Sequence, residues 1–142
     1  MTKPLDQQLT YKLHLLGKLS DVRSQQIYLE RAGLSLSEAR SLTAIGTFAP
    51  LSINELAYRS NLTKSQASRA AQAMVDKQLV VKKGTPEDGR GIELTLSNEG
   101  QRIFKKVIGL VDVRNHEIFA CLSPSETDQL SNLIDRVIQH LR

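Results

Sequence analysis

Cysteine, tryptophan and long apolar runs are scarce in this sequence of 142 residues, and each shortage excludes a class of protein. A single cysteine cannot form an internal disulfide, and it fits the reducing cytoplasm. No segment reaches the roughly 18 consecutive apolar residues of a membrane-spanning helix, and the N-terminus lacks the apolar core of a signal peptide. We therefore expect a cytoplasmic protein of one domain without a membrane partner.

Motifs for catalysis or cofactor binding are also missing. The sequence has no G-x-S-x-G, P-loop or G-x-G-x-x-G motif. The three histidines are scattered without the spacing of metal ligands, although His14 is a candidate for the lining of an effector pocket. Aromatic residues make up only 4%, which argues against binding of single strands by stacking. We expect neither an enzyme nor a bound metal or other cofactor.

The charge that is present is unevenly distributed. Ten basic and five acidic residues lie between Arg59 and Lys106, whereas the whole chain has 19 and 15. Such asymmetry favours a polyanion as partner. A solvated surface that happens to be basic would give the same count.

Apolar residues at helical spacing, together with capping residues, predict six helices. They are expected from about Leu5 to Arg31, from Ser37 to just before Pro50, from near Ser52 to Asn61, and after Thr63, Ser97 and Ser123. Ser52 with Glu55, and Thr63 with Gln66, form the pairs of a capping box. Two capped helices separated by about three residues are typical of a helix-turn-helix.

Residues 80–96 predict two strands around a charged tip. Val80–Lys83 is followed by Gly84, Pro86 and Gly89, and then by apolar residues that alternate with polar ones. The element order becomes α-α-α-α-β-β-α-α. We expect a mainly helical fold with a small β-hairpin wing, that is, a winged helix-turn-helix.

The start of the fourth helix is the best candidate for contacts with DNA bases, because recognition helices present their N-terminal residues to the major groove. Its exposed side is expected to carry Lys64, Ser65, Gln66, Ser68, Arg69 and Gln72. Arg69 suits a bidentate pair with guanine, and Gln66 or Gln72 suits adenine. Lys64 and Ser65 suit phosphate. An ordinary polar helix face would have the same composition, but the neighbouring basic hairpin favours DNA.

In the hairpin, the candidate DNA contacts are Lys82, Asp88 and Arg90. Arg90 at the tip suits a narrow minor groove, where the negative potential is enhanced. Asp88 would orient Arg90 through a charge-assisted hydrogen bond. A surface ion pair that stiffens the turn is the alternative interpretation of these two residues.

The hairpin pattern Asp88-x-Arg90-x-x-x-Leu94-x-Leu96-Ser97-x-x-Gly100 and the run Thr63–Arg69 resemble the MarR family of bacterial transcriptional regulators. The resemblance covers nearly the whole chain. It implies an intertwined helical homodimer, with 1–36 and 97–142 as the dimerisation region and 37–96 as the region that binds double-stranded DNA. It also implies a repressor that releases DNA when a small aromatic or phenolic effector binds, or when a cysteine is oxidised.

Three positions depart from the family pattern. Gln78 stands where glycine is frequent, so this helix end is expected to close differently. Lys82 replaces a usual arginine and lacks its bidentate fork. Gly89 replaces a second arginine, which would weaken the contact with phosphate.

The terminal helices predict a dimer independently of the resemblance. The last helix has one apolar stripe of Leu130, Leu133, Ile134, Val137, Ile138 and Leu141. The first helix is apolar across a wide face, including Leu9, Leu13 and Leu16. This area exceeds what one small core covers, so we expect an interface between subunits; packing of these helices within one chain is the alternative.

Two further expectations concern function. Cys121 has apolar neighbours and no adjoining Lys, Arg or His, so we expect a buried structural cysteine rather than a redox sensor. The alternative to a DNA-binding regulator is a winged-helix protein-interaction module, similar to an antirepressor, that does not bind DNA.

Overall fold

The computed structural model describes residues 1–84 and 91–142, and these ranges contain six α-helices, a short 3-10 helix and a two-stranded sheet. The 3-10 helix is Leu5–Gln7. The other elements are α1 (Leu9–Ala32), α2 (Leu36–Phe48), α3 (Ile53–Ser60), α4 (Lys64–Asp76), β1 (Val80–Lys83), β2 (Glu93–Leu96), α5 (Asn98–Ile118) and α6 (Pro124–Leu141). The predicted order of elements is confirmed.

The chain divides into two compact units, Met1–Leu110 and Val111–Arg142. The first unit contains a core in which α2, α3 and α4 pack against one another and β2 packs on α2. Its largest fully buried side chains are Leu34, Leu42, Ile45, Leu56, Met74, Leu94 and Val107. The second unit contains the end of α5 and all of α6.

The helix starts follow their capping residues, with corrections at α1 and α2. The N-cap of α2 is Ser35, two residues before the predicted Ser37. The Ser35 hydroxyl accepts from the Glu38 backbone N–H over 3.1 Å, and the Glu38 carboxylate accepts from the Ser35 N–H over 2.9 Å. The predicted box of Thr63 and Gln66 is confirmed, with distances of 3.1 and 3.0 Å. Helix α1 begins at Leu9 rather than Leu5, since the backbone of Gln8 is extended.

The end of α4 closes on a residue in the left-handed conformation. Gln78 has φ 63°, and the backbone N–H groups of Gln78 and Leu79 donate to Val75 and Met74, each over 2.9 Å. This is the Schellman motif, in which glycine normally occupies the left-handed position. The expectation that glutamine would change this helix end is wrong: Gln78 adopts the conformation that glycine favours.

The hairpin is attached to the helices on both sides. Strand β1 pairs antiparallel with β2, with Val80 opposite Leu96 and Lys82 opposite Leu94. The backbone of Leu94 also exchanges two hydrogen bonds, of 2.7 and 3.2 Å, with the backbone of Leu51 in the α2–α3 connection. The base of the hairpin is therefore fixed relative to the helix-turn-helix.

Apolar residues of the terminal helices remain exposed in the single chain. The second half of α1 has two buried residues, Ser24 and Tyr28, and is joined to α2 by a 2.7 Å ion pair between Asp21 and Arg40. In the first half, the leucines of the predicted stripe are exposed, with Leu9 at 76% and Leu13 at 56%. In α6 no residue is buried, and Val137 is 57% exposed. Both helices therefore carry apolar side chains that their own units leave exposed.

Cys121 is exposed, so the expectation of a buried cysteine is wrong. It lies in the turn between α5 and α6, where its apolar neighbours do not belong to a packed core. Within the described ranges, the helices are all too short or too polar to cross a membrane.

Candidate nucleic-acid interface

Helix α4 has one buried face and one exposed face. Ala67, Ala70, Ala71 and Met74 are buried where α4 packs on α2 and α3. The predicted site residues are all exposed, namely Lys64, Ser65, Gln66, Ser68, Arg69 and Gln72. The small alanines allow close packing, and in the capped first turn the Gln66 N–H donates to the Thr63 hydroxyl. The sequence therefore located this face correctly.

Four of these side chains are available for a ligand. Among the hydrogen bonds and ion pairs formed within residues 1–84 and 91–142, none involves the side chains of Lys64, Ser65, Ser68 or Arg69. Arg69 also lines a cleft of about 310 Å³ with Ser35, Ser37 and Glu38 at the start of α2, where the Glu38 carboxylate is paired with Lys77. Cationic and hydroxyl groups of this kind, beside the positive end of a helix dipole, suit an anionic partner.

Gln66 is less available than its position in the sequence suggests. Its side-chain oxygen accepts the Thr63 N–H over 3.0 Å as part of the capping box. A bidentate pair with adenine requires both the oxygen and the nitrogen of the amide. Gln66 therefore stabilises the helix start, and its amide keeps one lone pair of the oxygen and the N–H donors for another partner.

Gln72 joins the fourth helix to the hairpin. The Lys82 ammonium donates to Gln72 Oε1 over 2.6 Å, and Gln72 Nε2 donates to Asp76 Oδ1 over 2.9 Å. The sequence predicts Lys82 as a DNA contact of the wing, and the structure places it against α4. The i,i+4 spacing of Gln72 and Asp76 is a signal in the sequence, whereas the contact with Lys82 is not encoded locally.

An aromatic and cationic cluster near the α2–α3 turn was missed by the sequence analysis. The Arg59 guanidinium lies 4.4 Å from the centre of the Phe48 ring and 5.9 Å from that of Tyr58. Both rings are largely exposed. A cation over an aromatic face is attracted by the ring quadrupole, so Phe48 restricts the arginine.

Lys77, one of the basic residues counted in the central segment, has a structural role. Its ammonium lies 2.8 Å from Glu38 Oε2 and 3.2 Å from the Gly33 carbonyl oxygen. Burial alone would raise the pKa of Glu38, but hydrogen bonds from Lys77 and Ser35 and the charge of Lys77 lower it on balance. This pair fixes the end of α4 to the start of α2.

The predicted wing contacts Asp88 and Arg90 lie outside the described residues, as does Gly89. Of the hairpin, the structure describes both strands and the glycines Gly84 and Gly91, which have φ 116° and 74°. These positive angles favour glycine where the chain leaves β1 and approaches β2.

Two further clefts among the described residues have the size of small-molecule sites. His14 lines one of about 420 Å³ with Leu5, Tyr11, Leu15 and Lys18. The other, of about 340 Å³, lies between α5 and α6 and is lined by Phe119, Leu130 and Ile134 together with polar residues. The described ranges contain no group of histidine, cysteine and acidic residues that could hold a metal ion.

Three packed helices, with an exposed and capped third helix followed by an antiparallel hairpin, define a winged helix-turn-helix protein. Residues 32–91, which span this unit, match the model of the MarR family. Residues 32–91 are therefore similar to the MarR family, in agreement with the resemblance read from the sequence. A comparison with curated proteins found no match.

Solved structures share the fold over nearly the whole chain. A MarR/EmrR family transcriptional regulator from Acinetobacter sp. ADP1 has a TM-score of 0.87 at 19% identity, with 98% of each chain covered. BpsR of Bordetella bronchiseptica, whose DNA binding is regulated by 6-hydroxynicotinic acid, has a TM-score of 0.85 at 14% identity, covering 96% of this chain and 97% of that one. A MarR family protein of Mycobacterium tuberculosis in complex with salicylic acid has a TM-score of 0.75 at 22% identity, covering 94% and 98%.

Proposed function

We propose that this protein is a transcriptional regulator that binds specific duplex DNA as a homodimer, and that it is a repressor released by a small aromatic or phenolic effector. The proposal assigns residues 37–96 to DNA binding, and 1–36 and 97–142 to dimerisation. The single observation that carries it is the outer face of α4, where four polar or basic side chains are exposed without a partner among the described residues.

The chemistry of this face suits DNA in two ways. Lys64 and Ser65 lie in the first turn, where free N–H groups and the helix dipole favour a phosphate. Arg69, about one turn further along, suits the paired acceptors of guanine in the major groove. Asp88 and Arg90 extend the proposal to the minor groove on the strength of the sequence pattern alone.

The dimer is supported by the exposed apolar side chains of α1 and α6. Leucines in the first half of α1 and the apolar stripe of α6 leave an exposed apolar surface of an extent that monomers rarely maintain. A second copy of the chain would cover them. A two-fold dimer would also present two α4 helices to half-sites about 34–36 Å apart, which is one turn of DNA.

The proposed effector class is supported by two of the relatives, since 6-hydroxynicotinic acid and salicylic acid are both small aromatic acids. In this chain, the cleft lined by His14 has the matching chemistry. Lys18 supplies a cation for a carboxylate, and Tyr11 and Leu15 supply apolar surface for a ring. His14 and Lys18 are therefore the proposed effector contacts.

A protein-interaction module that does not bind DNA is the second candidate. The observation that favours it is the exposed aromatic pair Phe48 and Tyr58, since aromatic residues are enriched at protein interfaces. In such a module, the polar face of α4 would be an ordinary solvated surface.

Selection of genomic fragments with the purified protein, followed by titration of the selected duplex at several salt concentrations, tests the proposal. Contacts with Z phosphates predict that the affinity falls with salt with a log–log slope of about −0.9Z. Addition of candidate phenolic acids should weaken binding to the selected duplex. If no duplex binds measurably even at low salt, the interaction module is favoured and the regulator is excluded.

A further inference from the structure

We infer that Lys82 and Asp76 are positioning residues that hold the Gln72 amide in one orientation for reading an A·T base pair, an inference that rests on the proposed binding of duplex DNA. The three side chains form a continuous chain of hydrogen bonds across the exposed surface. Lys82 Nζ lies 2.6 Å from Gln72 Oε1, and Gln72 Nε2 lies 2.9 Å from Asp76 Oδ1. Strand β1 and helix α4 are joined at this point.

The chemistry of the two neighbours decides which way the amide faces. An ammonium group only donates hydrogen bonds, so it requires the amide oxygen. An ionised carboxylate only accepts, so it requires the amide NH₂. Turning the amide by 180° would place donor against donor and acceptor against acceptor. Gln72 therefore has one favoured orientation, whereas an isolated exposed glutamine has two.

The oriented amide retains the groups that recognise adenine. Oε1 has a second lone pair and Nε2 has a second proton, and these match the N6–H donor and the N7 acceptor of adenine in the major groove. Guanine presents acceptors at both N7 and O6, so the fixed amide oxygen would face another acceptor. An amide ordered before binding also loses less conformational entropy in the complex.

The presence of Asp76 is otherwise unfavourable. A carboxylate in the last turn of a helix opposes the macrodipole, and at this surface it would also repel phosphate. A role in orienting Gln72 accounts for an acid at this position. The same role gives Lys82 a specific function beyond the general attraction of its positive charge for DNA.

Gln72→Ala first identifies the A·T pair that Gln72 senses in the selected duplex. The test then compares two affinities, one for the selected duplex and one for a variant duplex in which this pair is replaced by G·C, and takes their ratio. Lys82→Met and Asp76→Ala should each lower this ratio by about fivefold, part of the discrimination that a bidentate pair provides. Asp76→Ala also removes a negative charge, so it should bind random DNA more tightly than the wild type while reading sequence less well. Lys82→Arg, which retains a donor, should keep the ratio.

Lys83→Met is the matched control, since it removes the same charge at the next position of the strand. It should leave the ratio unchanged even where overall affinity falls. The positioning role is overturned if Lys82→Met and Asp76→Ala also leave the ratio within about twofold of the wild-type value. A twofold change is far smaller than the discrimination that a bidentate pair provides.

The second test needs no DNA. In the free protein, both variants should shift the side-chain NH₂ resonances of Gln72 in NMR spectra and lower their order parameter, while those of the exposed Gln129 in α6 stay constant. Unchanged Gln72 resonances would overturn the positioning geometry even when DNA binds. If the Gln72 resonances respond as predicted but the protein does not bind DNA, the proposed function is overturned instead. The role of Gln72 in reading a base pair then fails with it.

Discussion

A 2.7 Å hydrogen bond from the Ser97 hydroxyl to the carbonyl oxygen of Gln78 ties the start of α5 to the end of α4. The same hydroxyl accepts the Gly100 backbone N–H over 3.0 Å, and the Ser97 N–H donates to the Leu79 carbonyl oxygen over 3.0 Å. One serine thus caps α5 and fixes it to the helix that carries the proposed DNA contacts.

Replacing Gln78 by glycine should stabilise the protein. Gln78 has φ 63°, a conformation that costs a residue with a side chain about 1–2 kcal/mol, and its exposed side chain contributes no buried contact. Because glycine loses more backbone entropy on folding, the net gain in the free energy of unfolding should be about 1 kcal/mol. Urea denaturation measures it. Gln78→Ala, which keeps a Cβ atom, is the control and should show no gain.

Two glycines of α5 should respond oppositely to alanine. A Cβ atom at Gly100 would collide with the backbone carbonyl oxygen of Leu79, whereas one at Gly109 would meet no atom within 4 Å. Gly100→Ala should therefore shift the α4–α5 junction and lower the melting temperature. Gly109→Ala should raise stability by up to about 1 kcal/mol through helix propensity. Equal effects of the two substitutions would contradict the close approach at Gly100.

The pair of Lys77 and Glu38 should contribute a pH-dependent part of stability. Since the pKa of Glu38 is lowered in the fold, its contribution is present above the ordinary carboxyl pKa, roughly 4.3, and is lost as the pH falls through the lower folded value. Lys77 is partly exposed, so Lys77→Met should lower the free energy of unfolding at neutral pH by at most about 1 kcal/mol.

Urea denaturation at neutral and acidic pH checks this prediction. The difference between wild type and Lys77→Met should shrink as the pH is lowered past the carboxyl range. Lys83→Met serves as the control because it removes the same charge from an exposed position. If the difference in the free energy of unfolding between wild type and Lys77→Met is the same at every pH, the contribution of Lys77 does not depend on the charge of Glu38.

A charge on the apolar stripe of α6 should dissociate the proposed dimer. Val137 is 57% exposed in the single chain and would be buried by a second copy. An unpaired buried carboxylate is strongly unfavourable, so Val137→Asp should sediment as a monomer at concentrations where the wild type is a dimer. Asn132→Asp adds the same charge to an exposed position of the same helix and should leave the dimer intact.

The elements could be predicted because their signals are local. The capping pair Thr63 and Gln66 and the Ser123-Pro124 start of α6 act within four residues, and the structure has both. The acid that follows Ser37 favours a helix start at that serine, whereas the three-residue spacing of the capping box selects Ser35. Local signals determine that a helix starts nearby and leave its first residue ambiguous.

The contacts that define the site's finer geometry could not be predicted. Three such contacts join residues that are 10 to 39 positions apart in the sequence. They are the contacts of Lys82 with Gln72, Lys77 with Glu38 and Arg59 with Phe48. Such pairs depend on how the helices and the hairpin pack, which no spacing in the sequence encodes. Composition indicated a basic surface, but the structure shows that Lys77 serves the fold and Lys82 contacts Gln72.

The central claim is that the outer face of α4 reads DNA, and Arg69→Ala tests it most directly. Affinities for the selected duplex and for random DNA should be measured side by side, with Arg23→Ala in α1 as a control for the loss of one exposed positive charge. We predict that Arg69→Ala loses about 1–3 kcal/mol on the selected duplex and much less on random DNA, and that Arg23→Ala loses little on either. Equal losses for Arg69→Ala on both duplexes, or wild-type affinity, would contradict the claim.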